Sequence, residues 1–128
     1  MEYKILIVDD SSVTRAVLKK TIGMTDFPVQ DIVQAENGEQ ALRMLRQEPF
    51  DLVMADLNMP QMNGIAMTQR ILSDESLKSI PVVVITTEAS VSRIEELKAA
   101  GIRGYVHKPF TAEGIRNMLL EVLGAPQT

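Results

Sequence analysis

The chain has 128 residues, 45% of them hydrophobic and 23% charged, which fits one globular domain with a single good core and leaves no room for a second. A formal net charge of -4 with scattered Lys and Arg excludes a nucleic-acid surface built on phosphate neutralisation, and the lack of cysteine excludes disulfides and thiolate metal sites. No apolar run reaches the length of a signal or membrane segment, so a cytoplasmic location is expected.

In chain order, Lys4 to Val8 (KILIV) is near-continuous apolar and predicts a strand buried on both faces. Ser12 is placed to cap a helix from Val13 to Ile22, and Gly23 to end it. Val29 to Ala35 mixes Gln and Asp into its apolar residues, as suits a strand at a sheet edge. Asn37, with Gln40 three residues on, has the form of a capping box for the second helix. Leu52 to Ala55 predicts another buried strand, and the lone acid Asp56 stands where it stops. Ile65 to Leu72 predicts the third helix, Pro81 to Thr86 a further buried strand, and Val91 to Ala100 the fourth helix, closed by Gly101. Gly104 to His107 is a brief edge strand. Ile115, Met118, Leu119, Val122 and Leu123 recur at helical spacing in a last helix capped by Thr111. The sum is an α/β chain of (βα)5 type, which implies a parallel sheet with right-handed crossovers and helices on both faces. No linker or low-complexity segment interrupts it, and the tail GAPQT is read as leading to no effector domain.

In such a sheet the ligand site lies beyond the carboxyl ends of the strands. Asp9 and Asp10 follow the first strand there, Asp56 the third, Thr86, Thr87 and Glu88 the fourth, and Lys108 with Pro109 the fifth. Any one of these acids alone reads equally well as a turn former or helix cap. Three carboxylates brought together repel one another and need a cation, and an oxygen-only donor set with few carboxylates suits Mg2+. The charges of these acids, one Mg2+ and the Lys108 ammonium sum to zero, leaving a neutral site able to accept the extra negative charge of an acyl phosphate on Asp56. Lys108 and the Thr86 hydroxyl are placed to hold the new phosphoryl oxygens, and the backbone carbonyl of Asn58 is a further candidate metal ligand.

The stretches VDD (Val8 to Asp10), DLNMPQMNG (Asp56 to Gly64), ITT (Ile85 to Thr87) and KPF (Lys108 to Phe110) together resemble the signature set of response-regulator receiver domains, over nearly the full chain. NMP after the acceptor, Glu88 two residues beyond Thr86, and GYVHKPFTAE are similar to the single-domain chemotaxis members of that family. The resemblance implies a doubly wound, flavodoxin-like sheet of order 2-1-3-4-5 and one receiver domain over residues 1–128. It implies that Asp56 accepts a phosphoryl group from a histidine kinase, a phosphotransfer protein or a small acyl phosphate. Asp10 would bind Mg2+ directly and Asp9 through water, with Asn58 and Asp56 completing the protein ligands. Lys108 would contact the phosphoryl group, aimed by a cis peptide bond at Pro109. Thr86 would move toward that group with Tyr105 swinging inward behind it, while Asn58, Thr87 and Glu88 modulate the site. A downstream protein would read the fourth helix, fifth strand and fifth helix, and the chain would be a monomer unless phosphorylation drives pairing through that face.

Thr87 stands where the family usually has Ala or Gly, Asn63 replaces a commonly acidic residue, and Leu57 sits where the chemotaxis members often carry an aromatic. On the residues alone, Tyr105 reads as a half-buried edge aromatic, and His107 should point away from the site. Met54, Met67 and Met118 fall at core spacing, whereas Met59 and Met62 lie in a loop as candidates for partner contact. A competing class is an Mg2+-dependent phosphohydrolase with an aspartyl-phosphate intermediate, but its usual general acid two residues after the nucleophile is Asn58 here. A flavin-type binder is disfavoured by the acidic DDSSVT turn, where a phosphate cradle needs glycines. A receiver reduced to docking alone would not keep the acid pair, Asp56, Thr86 and Lys108. Motor control and a non-motility phosphorelay both remain open at this point.

Overall fold

The computed structural model describes residues 2–57, 59, 62–87 and 90–124. Strands and helices alternate as β1 (Tyr3–Val8), α1 (Ser12–Gly23), β2 (Val29–Ala35), α2 (Gly38–Gln47), β3 (Leu52–Asp56), α3 (Gly64–Leu72), β4 (Val82–Thr86), α4 (Val91–Ala99), β5 (Gly104–His107) and α5 (Ala112–Leu123). All strand pairs are parallel, in the order β2-β1-β3-β4-β5. The expected (βα)5 architecture and strand order are therefore present.

Side-chain alternation along the strands builds a core on each face of the sheet. Ile5 and Ile7 of β1 pack with Met54 and Ile85 beneath Leu18 and Ile22 of α1 and Ile115, Met118 and Leu119 of α5. Leu6 and Val8 point the other way, joining Val53 and Ala55 beneath Leu42 and Leu45 of α2 and Met67 and Ile71 of α3. A smaller cluster of Leu57, Val84, Leu97 and Ile102 seats α4. The uninterrupted apolar runs of β1, β3 and β4 thus feed two cores at once, which is why they are central.

The helix starts are set by side-chain caps. Asn37, Asn63, Ser90 and Thr111 each accept the backbone N–H three residues on, at 2.8, 2.8, 3.3 and 3.0 Å. The cap of α1 is Ser11 and not Ser12: Ser11 has extended dihedrals, and its hydroxyl accepts the Thr14 N–H. Gly23 is the last helical residue and not the terminator, since the chain leaves through Met24 in the right-handed region, and Asp26 takes the positive φ of 60°. Gln40 returns its amide oxygen to the Glu36 N–H at 2.6 Å, one residue before the cap, so the capping box is displaced by one position. Gly101 does close α4, with φ of 102°.

Candidate metal and active site

The carboxyl ends of β1, β3, β4 and β5 bring the acids and the lysine to one edge. Asp56 is the last residue of β3, paired with Ile85 of β4, and the following Leu57 N–H donates to the Ile85 carbonyl at 3.0 Å. Its side chain is 13% exposed, more enclosed than the open, solvent-directed nucleophile that its place at the strand end implies. Gly64, opening α3, passes close behind it: a Cβ there would stand 3.2 Å from the Asp56 carbonyl oxygen and 3.2 Å from the Leu57 Cα. One carboxylate oxygen each from Asp9, Asp10 and Asp56 lies within 4.8 Å of the others. Lys108 Nζ reaches to 3.7 Å from Asp56 Oδ2, an ion pair beyond hydrogen-bond range. The Lys108 N–H donates to the Thr86 carbonyl at 2.8 Å, and the Lys108–Pro109 peptide is cis, as expected. Thr86 ends β4 and is buried.

Asp9 carries the strain of this cluster. It is 3% exposed, and burial pushes its carboxyl above the ordinary value of 3.8. The Ser11 backbone N–H, donating to Oδ1 at 2.8 Å, pulls it back, while the charge of Asp56 raises it, Lys108 lowers it and Asp10 raises it further. Oδ2 of Asp9 is the one buried side-chain polar atom without a hydrogen-bond partner among the described residues. A hard cation fits that demand, since every available donor is an oxygen, one acid is exposed, and one buried carboxylate oxygen of the cluster lacks a hydrogen-bond partner. The residues present therefore suit a metal ion of this kind and would hold it through Asp9, Asp10 and Asp56.

Asn58 and Glu88 lie outside the described residues, so their expected parts as metal ligand and modulator are not located. Thr87 is exposed beside the site. Tyr105 is 38% exposed on β5, in keeping with the half-buried edge aromatic expected from its sequence position. His107 is exposed, as alternation requires, but its Nε2 lies 3.1 Å from the Thr87 carbonyl oxygen, so the ring bridges β5 to the connection after β4. Met59 and Met62 lie between β3 and α3 as expected, but partner contact is not their role here: both side chains are buried in the core cluster that α2 and α3 cover.

Sequence reasoning missed Arg15. It is 9% exposed on the core face of α1 with Leu18 and Ile22, and its guanidinium donates to the Asp9 carbonyl and to Gln34 Oε1. The available signal was a cation three residues before Leu18 on an otherwise apolar helix stripe.

The sequence model of the response regulator receiver domain matches residues 5–120. Chemotaxis protein CheY-3 of Vibrio cholerae is 43% identical over 116 residues, covering 91% of this chain and 88% of the relative. Chemotaxis protein CheY of Pseudomonas aeruginosa is 40% identical over 119 residues, covering 93% and 94%. The crystal structure of the chemotaxis response regulator CheY4 of Vibrio cholerae superposes with a TM-score of 0.84 at 30% identity, covering 95% of this chain and 99% of that one. With the strand order, the acid cluster and the Lys108–Asp56 pair in place, these matches establish that the chain belongs to the response-regulator receiver domain family and is closely related to its chemotaxis CheY members.

Proposed function

We propose that this chain is a phosphorylation-operated switch in chemotaxis or flagellar motor control, acting on no substrate pool beyond its own acceptor aspartate. The carrying observation is the meeting of Asp9, Asp10 and Asp56 with Lys108 at 3.7 Å from the acceptor. The chemotaxis relatives support the choice of pathway.

Asp56 is the nucleophile. One of its carboxylate oxygens attacks the phosphorus of a donor phosphohistidine, the P–N bond breaks, and its electron pair leaves with the imidazole. The β3–β4 ladder holds the Asp56 backbone still while this happens, which keeps the attacking oxygen in line. The Lys108 ammonium, already paired with Asp56, turns to the added negative charge, and the Thr86 hydroxyl donates to a phosphoryl oxygen. Mg2+, when bound, supplies positive charge beside the transferring oxygens and relieves the repulsion among the acids. Attack of water on the phosphorus of the acyl phosphate returns Asp56 and releases inorganic phosphate.

Output follows from contacts that exist only with the phosphoryl group present. Thr86 is drawn toward Asp56, and Tyr105, exposed in this conformer, turns into the space behind it. A protein partner then reads the altered face of α4, β5 and α5. Among the described residues no helix is long and apolar enough to cross a membrane, and the phosphohistidine donor assigns the exchange to the cytoplasm.

The test is incubation with Mg2+ and acetyl phosphate, followed by intact mass. Wild type gains one phosphoryl group and Asp56→Asn gains none. Equal incorporation by both proteins, or none by wild type, sinks the reading.

A further inference from the structure

We propose that Arg15 and Gln34 form a clamp that positions the metal-binding acids, with Arg15 as a positioning residue for Asp9. The inference rests on the Mg2+-dependent reading of the acid cluster.

A guanidinium on the core face of a helix is expensive to desolvate unless its donors are satisfied. Arg15 Nη1 donates to the Asp9 carbonyl at 2.5 Å, and Nε donates to Gln34 Oε1 at 3.0 Å. Both acceptors are neutral oxygens. The fork is thereby turned to the backbone behind the acid pair, and these two donors take up none of the carboxylate oxygens that a cation needs.

The consequence falls on Asp9. Its N–H donates to the Ala35 carbonyl at 3.1 Å, its carbonyl accepts from Arg15, and its Oδ1 accepts the Ser11 N–H at 2.8 Å. Three of its four polar groups are tied, and the fourth, Oδ2, is the orphan. Only the Arg15 bond comes from a side chain that is itself held from a different element. Gln34 sits on the edge strand β2, paired with Ile7, so the sheet's outermost strand braces the turn that carries both Asp9 and Asp10. Its amide oxygen decides where the guanidinium points.

Supporting side chains of this kind typically alter metal affinity about 10–100-fold when removed. The experiment titrates Mg2+ alone into wild type, Arg15→Gln, Arg15→Lys and Gln34→Leu by calorimetry, and measures thermal unfolding of each in EDTA. The expected result is a Kd weakened about tenfold in Arg15→Gln, partial recovery in Arg15→Lys, and a several-fold loss in Gln34→Leu, each measured well below the unfolding temperature. A merely structural arginine would lower the unfolding temperature and leave the Kd of the folded protein unchanged; that outcome overturns the proposal. If Arg15→Gln does not fold, Gln34→Leu decides, because it keeps the charge and removes only the orienting acceptor, and an unchanged Kd there is equally fatal. Wild type that binds no Mg2+ would instead refute the metal reading on which the clamp depends, a separate failure visible before any variant is compared.

Discussion

Asp9→Asn should make the metal-free protein more stable at neutral pH, although it removes a residue from the heart of the site. The Asp9 and Asp56 oxygens lie within 4.8 Å, so at an effective dielectric near 20 their repulsion is at least about 3 kcal/mol. Lys108 offsets part of this through Asp56, and the amide of Asn retains an oxygen for the Ser11 N–H. A net gain of about 1–2 kcal/mol remains, and for 128 residues each kcal/mol moves the midpoint by about 4 °C, so thermal unfolding in EDTA should shift upward by about 4–8 °C. The Asp9 carboxyl is raised above 3.8 in the folded state by burial first, so the unfolded chain gives up this proton at lower pH than the folded one. Wild-type stability therefore falls as pH climbs from 3.8 through the folded value, and the advantage of Asp9→Asn opens over that window and vanishes below it. Mg2+ at 100 times its Kd should add about 2.7 kcal/mol to wild type and far less to the variant. A variant no more stable than wild type in EDTA at neutral pH, or an advantage that persists at pH 3, would refute the reasoning.

Gly64→Ala places a methyl 3.2 Å from the Asp56 carbonyl oxygen and 3.2 Å from the Leu57 Cα, both backbone atoms that cannot rotate away. It should cost about 1–3 kcal/mol in denaturant unfolding and slow phosphorylation of Asp56 by acetyl phosphate, whereas wild-type values for both would show that the end of β3 has room to shift. Thr87→Ala removes bulk from an exposed position beside the acceptor and should quicken both formation and hydrolysis of the acyl phosphate. A phosphoryl lifetime unchanged by the substitution would remove Thr87 from the control of access.

The sheet was legible because the apolar runs of β1, β3 and β4 have no polar face, a pattern that only burial on both sides explains. The acid cluster was legible because its members all follow such strands, where the topology leaves them no other place to go. What escaped depends on geometry that periodicity does not encode. Ser11 and Ser12 are chemically equal caps, and only the extended backbone at Ser11 decides between them. Met59 and Met62 do lie between elements, and no spacing in the sequence shows that their side chains enter the core under α2 and α3. Arg15 breaks the apolar stripe of α1, but its acceptors lie on the β1–α1 turn and on β2, and no local pattern connects those positions. Tyr105 shows the same limit from the other side, since the edge position fixes its strand and says nothing of which way the ring rests.

The His107 ring extends the β4–β5 pairing one step beyond the last backbone rung, from the Lys108 N–H on the Thr86 carbonyl to Nε2 on the Thr87 carbonyl. A carbonyl can only accept, so Nε2 is the donor in this bond. A side chain thereby ties the end of β5 to Thr87 where the backbone ladder between the two strands has already stopped.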